Sequence, residues 1–172
     1  MSLPDYLGSQ LLHLSESYLR INHSLQLGLH LRYPHHPHLL WYHSQNLVPH
    51  LDHYYYQQDW DKAIKALKVS INEFSDDGAL NSLLASIYLL NGDDISAIKS
   101  IEYALSIEPD NEIMYWTGLS IYNSLGNFDE AVSMITALEN EFLYEFEADN
   151  FRIDEEYSNF VTSEEFKSHF GE

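Results

Sequence analysis

Residues 78–111 read GALNSLLASIYLLNGDDISAIKSIEYALSIEPDN. Two amphipathic segments flank Asn91-Gly92, where a left-handed residue closes a helix cheaply. The stretch has copies on both sides. Ala97 recurs 34 residues earlier as Ala63 and 34 later as Ala131. At the same step Tyr88 recurs as Tyr54 and Tyr122, and Ile98 as Ile64 and Val132. Gly92 recurs as Gly126, with Gln58 at the earlier place. Several columns repeating in phase mark one supersecondary unit used three times, here two helices and a turn. Ala63, Ala97 and Ala131 are small where the second helix must cross the first within about 8–10 Å. Tyr54, Tyr88 and Tyr122 are large where the first helix must reach the next unit. Asn127 with Glu130 is expected to form a capping box. One hairpin cannot bury its apolar face alone, so stacked neighbours must share a core.

These residues resemble the tetratricopeptide repeat. The middle copy supplies Leu84, Ala85, Tyr88, Ala97, Ile101, Ala104 and Pro109. The third supplies Tyr115, Gly118, Tyr122, Gly126, Phe128, Ala131 and Ile135. The first supplies Leu51, Tyr54, Trp60, Ala63 and Leu67, and lacks the turn glycine and the closing proline. The resemblance spans residues 44–143 and implies an all-α superhelix of three hairpins, 44–77, 78–111 and 112–143. A Leu/His-rich segment, 1–43, precedes it, and an acidic segment, 144–172, follows it as capping helices.

The charge balance narrows the partners. Eight basic residues face 27 acidic ones, a formal net charge of −19. Phosphate-rich partners need a basic patch, so nucleic acid and anionic membrane surfaces are excluded as expectations. No run approaches the roughly 18 apolar residues of a membrane helix. The sequence opens without the form of a signal peptide and has no Cys, so the protein is expected in the cytoplasm, without disulfide or thiolate chemistry.

The two ends read differently from the middle. Leu7, Leu11, Leu14, Tyr18 and Ile21 fall at helical steps, whereas Leu25, Leu27, Leu29, Leu31 and Tyr33 alternate as in a strand. Residues 22–43 are therefore helix or strand, with helix favoured by helical neighbours. Pro49 should open or kink the first repeat helix. Near the C-terminus, Ile153, Tyr157, Phe160 and Val161 share one helical face. Thr162 is the expected N-cap of a last helix, with Glu165 as its box partner. These helices should seal the last hairpin; a tail folded over the groove is the alternative.

The resemblance implies that a partner lies in a concave groove lined by the first helix of each pair. Carried over position by position, the lining is Gln45, Val48, Asp52, Tyr55 and Tyr56 in the first repeat. In the second it is Ala79, Ser82, Ser86, Leu89 and Leu90. In the third it is Ile113, Trp116, Ser120, Asn123 and Ser124. None of these is Lys or Arg; the bases are Arg20, Arg32, Lys62, Lys65, Lys68, Lys99, Arg152 and Lys167. The carboxylate clamp of tetratricopeptide co-chaperones is therefore missing. What remains suits aromatic or apolar side chains of an extended or helical segment.

Nine of the ten His lie within residues 13–53. His35, His36, His38, His50 and His53 are the candidate metal ligands, but no Cys is near and no zinc-module spacing is present. No metal or other cofactor is expected. No phosphate loop or nucleophile elbow occurs, and paired acids on an acidic helical protein are ordinarily a solvated face, so no enzyme is expected. The leading expectation is a protein–protein interaction scaffold or adaptor. A small chaperone for secreted or aggregation-prone proteins is the second. A metal- or pH-responsive regulator acting through the His-rich segment is the third. The N-terminal segment is expected either to seal one end or to pair with its copy in a homodimer.

Overall fold

The computed structural model describes residue 48 and residues 50–171. The helix-or-strand question over 22–43, the segment 1–43, Gln45, Pro49 and His35, His36 and His38 lie outside the described residues. Within them the chain is helical and contains no strand. Helices α1 (Leu51–Tyr56) and α2 (Trp60–Glu73) form a first pair. α3 (Gly78–Leu90) and α4 (Asp94–Ile107) form a second, and α5 (Glu112–Leu125) and α6 (Phe128–Glu141) a third. Each helix packs on the next, and α3 also touches α5, so the second and third pairs meet through their first helices as well.

The turn inside each pair is one local geometry used three times. Gln58, Gly92 and Gly126 all sit at positive φ, 54°, 74° and 72°. The next amides, of Asp59, Asp93 and Asn127, donate back to the carbonyls of Tyr54, Tyr88 and Tyr122, each at 2.9 Å. The left-handed residues themselves donate to Tyr55, Leu89 and Asn123 at 3.0–3.1 Å. This is the Schellman closure, which satisfies carbonyls that a helix end would otherwise orphan. The same three residues then cap the following helix. Asp59 and Asp93 accept from the amides of Lys62 and Ser96. Asn127 stands in the same place but its side chain makes no cap bond, so the capping box with Glu130 does not form. The carboxylates of Asp59 and Asp93 carry a full charge toward the positive helix end, and the Asn127 amide does not.

The core follows the repeat. Ala63, Ala97 and Ala131 are fully buried at the crossings, alongside Leu67, Ile101 and Ile135, again one period apart. Tyr88 and Tyr122 are buried, and Tyr54 is half-buried against the cluster. Between pairs, Asp77 and Asn111 cap α3 and α5 through the amides of Leu80 and Ile113. Glu108 ties the two ends of the second hairpin together: its carboxylate accepts from the Gly78 amide at the start of α3 at 2.7 Å and from Nδ2 of Asn111, the N-cap of α5, at 2.8 Å.

The repeat stops after Phe142. Leu143 turns to φ 58°, and the chain runs to α7 (Ala148–Arg152), two single 3-10 turns (Glu155–Tyr157 and Phe160–Thr162) and α8 (Glu164–Phe170). The expected single face of Ile153, Tyr157, Phe160 and Val161 is not one α-helix. Tyr157 and Phe160 point inward from successive 3-10 turns, where side chains three apart eclipse, while Ile153 is 69% exposed. Phe151, Phe160, Phe166 and Phe170 interlock with centroids 4.6–6.1 Å apart, a spacing that favours edge-to-face contacts. The last helix is capped one residue later than expected: Ser163 Oγ accepts from the Phe166 amide at 3.1 Å, and Thr162 Oγ1 donates to the Asn159 carbonyl.

Candidate functional site

The face under consideration is built from α1, α3 and α5. Just before the first helix Val48 is buried; on it Asp52 and Tyr55 are half-buried and Tyr56 is exposed. The Tyr55 ring meets Trp60 edge-on at 5.4 Å and Tyr56 at 6.4 Å, so this aromatic group is anchored within its own hairpin. On α3, Ser82 is fully buried, Ser86 donates to the Ser82 carbonyl at 3.3 Å, Leu89 is half-buried and Leu90 is exposed. Tyr56 and Leu90 are thus exposed apolar positions of this face, with Leu89 half-buried.

The third helix is different. Trp116, Ser120 and Asn123 lie along α5, and all three meet the chain's own C-terminal segment. Trp116 is flanked edge-on by Tyr144 at 5.4 Å and Phe146 at 5.6 Å, and those two rings stack on each other at 5.6 Å and 7°. Tyr144 Oη also donates to Glu112 Oε2 at 2.9 Å. Ser120 Oγ donates to Glu156 Oε1 at 2.9 Å, and Asn123 Nδ2 to the Glu156 backbone carbonyl at 3.0 Å. Ile113 is half-buried one turn before Trp116. These positions are occupied by residues 144–156 rather than open to a partner.

The electrostatics match this burial. Loss of solvent raises the Glu156 carboxyl above its ordinary value, the Ser120 hydrogen bond opposes that, and nearby Asp154 adds to it. Burial likewise lifts the Tyr157 phenol well above its ordinary value, helped by Glu156 and Asp154. Lys62 pairs with Asp59, Arg152 with Asp149 and Lys167 with Glu164, all on their own helix ends. Lys68 lies over the Tyr88 ring at 5.4 Å.

His50 is exposed at φ 66°, and His53 is exposed with its ring 6.0 Å from Tyr54. Among the described residues no three His, Asp or Glu side chains converge as a metal site, and no helix there is long and apolar enough to cross a membrane. Position-by-position reading missed Tyr144, Phe146 and Glu156. The signal available was the alternation in Leu143-Tyr144-Glu145-Phe146-Glu147, which puts two aromatics on one side of an extended segment. No protein-family model matches the chain, and no curated protein matches it.

Proposed function

We infer that this chain is a tetratricopeptide-type array of three hairpins that works as a protein–protein interaction scaffold. The observation that carries the reading is the Schellman closure recurring at Tyr54, Tyr88 and Tyr122, one period apart and at the same 2.9 Å. Hairpins related by one repeated turn stack into a curved array, and such arrays are used through the face of their first helices. That face carries Tyr56, Leu89 and Leu90, and none of its lining positions is Lys or Arg, so it suits apolar or aromatic anchors of a peptide segment. With its third helix covered from within, the partner would rest chiefly on α1 and α3. A chain without Cys suits a reducing compartment such as the cytoplasm.

A photo-crosslinking amino acid at Leu89 tests this, with the 69%-exposed Ile95 as the control position. The expected result is a discrete protein adduct from Leu89 that is lost on Tyr55→Ala and not formed from Ile95. Equal adducts from both positions would remove the groove reading.

A further inference from the structure

The five residues Leu143–Glu147 form a strap across α5, and their side chains alternate. Tyr144 is buried and Phe146 half-buried against Trp116, whereas Leu143, Glu145 and Glu147 are exposed. The strap is held by these two rings, by the Tyr144–Glu112 hydrogen bond, by the Tyr144 amide donating to the Leu138 carbonyl at 3.1 Å and by Phe146 against Phe151 at 5.6 Å. Its first residue carries a cost, since Leu143 has a Cβ at φ 58° while its side chain is 79% exposed. Beneath it, Trp116 Nε1 is buried and meets no acceptor among the described residues. A buried indole N–H without an acceptor is uncommon in a settled core.

We propose that the strap is a displaceable internal ligand, and that the Trp116 shelf takes an extended partner segment with aromatic side chains at alternate positions. This deepens the scaffold reading and rests on it. A replacing strand would set two rings where Tyr144 and Phe146 lie and could bring a main-chain carbonyl to Trp116 Nε1. The outward position between the rings is unconstrained by packing. In a chain of net charge −19, a partner with Lys or Arg there is attracted where Glu145 is not. Affinity for the partner segment is reduced by the fraction of molecules with the strap seated.

The test uses the full chain and fluorescence anisotropy of a labelled peptide of residues 141–150, made both as it stands and with Glu145→Lys. Tyr144→Ala should bind the peptide at least tenfold more tightly than the unsubstituted chain. Leu143→Asn, which tolerates the left-handed turn and seats the strap more firmly, should bind it severalfold more weakly. Tyr144→Phe, which keeps the ring and drops the Glu112 bond, should fall between Tyr144→Ala and the unsubstituted chain. The Lys peptide should bind more tightly than the Glu peptide, with the gap closing in high salt. Trp116→Ala added to Tyr144→Ala should abolish binding. Equal binding by all strap variants, binding indifferent to Trp116, or dimers by light scattering in place of peptide binding would each overturn the proposal. If Leu89 still yields its adduct while these titrations fail, the strap idea falls and the scaffold reading stands; loss of the Leu89 adduct alone removes the α1–α3 face and leaves the α5 shelf as the scaffold's binding surface.

Discussion

Gln58 and Gly92 take the same left-handed backbone conformation one period apart, with φ of 54° and 74°, although only Gly92 lacks a Cβ. Both amides donate to a helix carbonyl three residues back at 3.0 Å, so the turn forms whether or not the residue suits it. An L-residue with a Cβ pays about 1–2 kcal/mol for this region. Gln58→Gly should therefore stabilise the protein by about 1 kcal/mol, even after the entropy that glycine adds to the unfolded chain. Gly92→Ala should destabilise it by about the same amount. Urea unfolding followed by circular dichroism checks both, and a midpoint moving the other way in either variant would refute the account.

The alanine crossings leave no room. Ala97 is fully buried where α4 meets α3. Ala97→Leu should cost about 1–3 kcal/mol or more through overpacking. Ile95→Leu, at a site 69% exposed on the same helix, should stay within about 0.5 kcal/mol. Thermal melts of the two variants side by side give the comparison.

Glu108 ties the end of α4 to the start of α3 at a place where the other two copies carry Phe74 and Phe142. Its carboxylate lies so close to Gly78 that a Cβ there would meet Glu108 Cδ at 2.7 Å. Gly78→Ala should push the carboxylate off the α3 amide and cost about 1–3 kcal/mol, as for a charged hydrogen bond. Adding Glu108→Ala should make the two losses less than additive, because each removes the same bond. Strict additivity in a double-mutant cycle would count against the bridge.

Glu156 supplies a pH signature. Its folded-state pKa is raised above the ordinary 4.5 by burial. Protonation therefore favours the folded state: the contribution is fully present below about pH 4.5 and is lost as pH rises through the raised folded value. At neutral pH the buried charge is a net cost, and Glu156→Gln, whose side-chain carbonyl can still accept from Ser120, should raise the melting temperature by about 2–4 °C. The gap between variant and parent should shrink as pH falls toward 4.5. A gap that is constant or widens on acidification would show that desolvation does not govern this carboxyl.

The middle of the chain was legible because its determinants are local. Asp59, Asp93, Gly92 and Gly126 each fix a turn through bonds to residues within a few positions, so period and helix limits could be read within a residue or two. The C-terminal segment was not, because its geometry comes from contacts distant in sequence. Glu156 meets Ser120 and Asn123 across 36 and 33 residues, and no spacing rule reports that. Phe151, Phe160 and Phe166 can interlock from α-helix or 3-10 turns alike, so their aromatic character did not select either. For α5 the resemblance placed Trp116, Ser120 and Asn123 on one lining, and they do share a neighbour. That this neighbour belongs to the same molecule corresponds to the alternative of a tail folded over the groove, and no spacing rule chose it over a simple cap.

Phe74 and Glu108 end α2 and α4 with the same backbone, ψ 64° and 63°, whereas Phe142 ends α6 with ψ 4° and Leu143 follows at φ 58°, so the path diverges there. The size of the molecule is thus decided at one junction, and the upstream units carry no information about how many should follow. A gene segment encoding residues 75–142, duplicated in frame at that point, should extend the rod by two modules and carry the terminal lid intact to the new end.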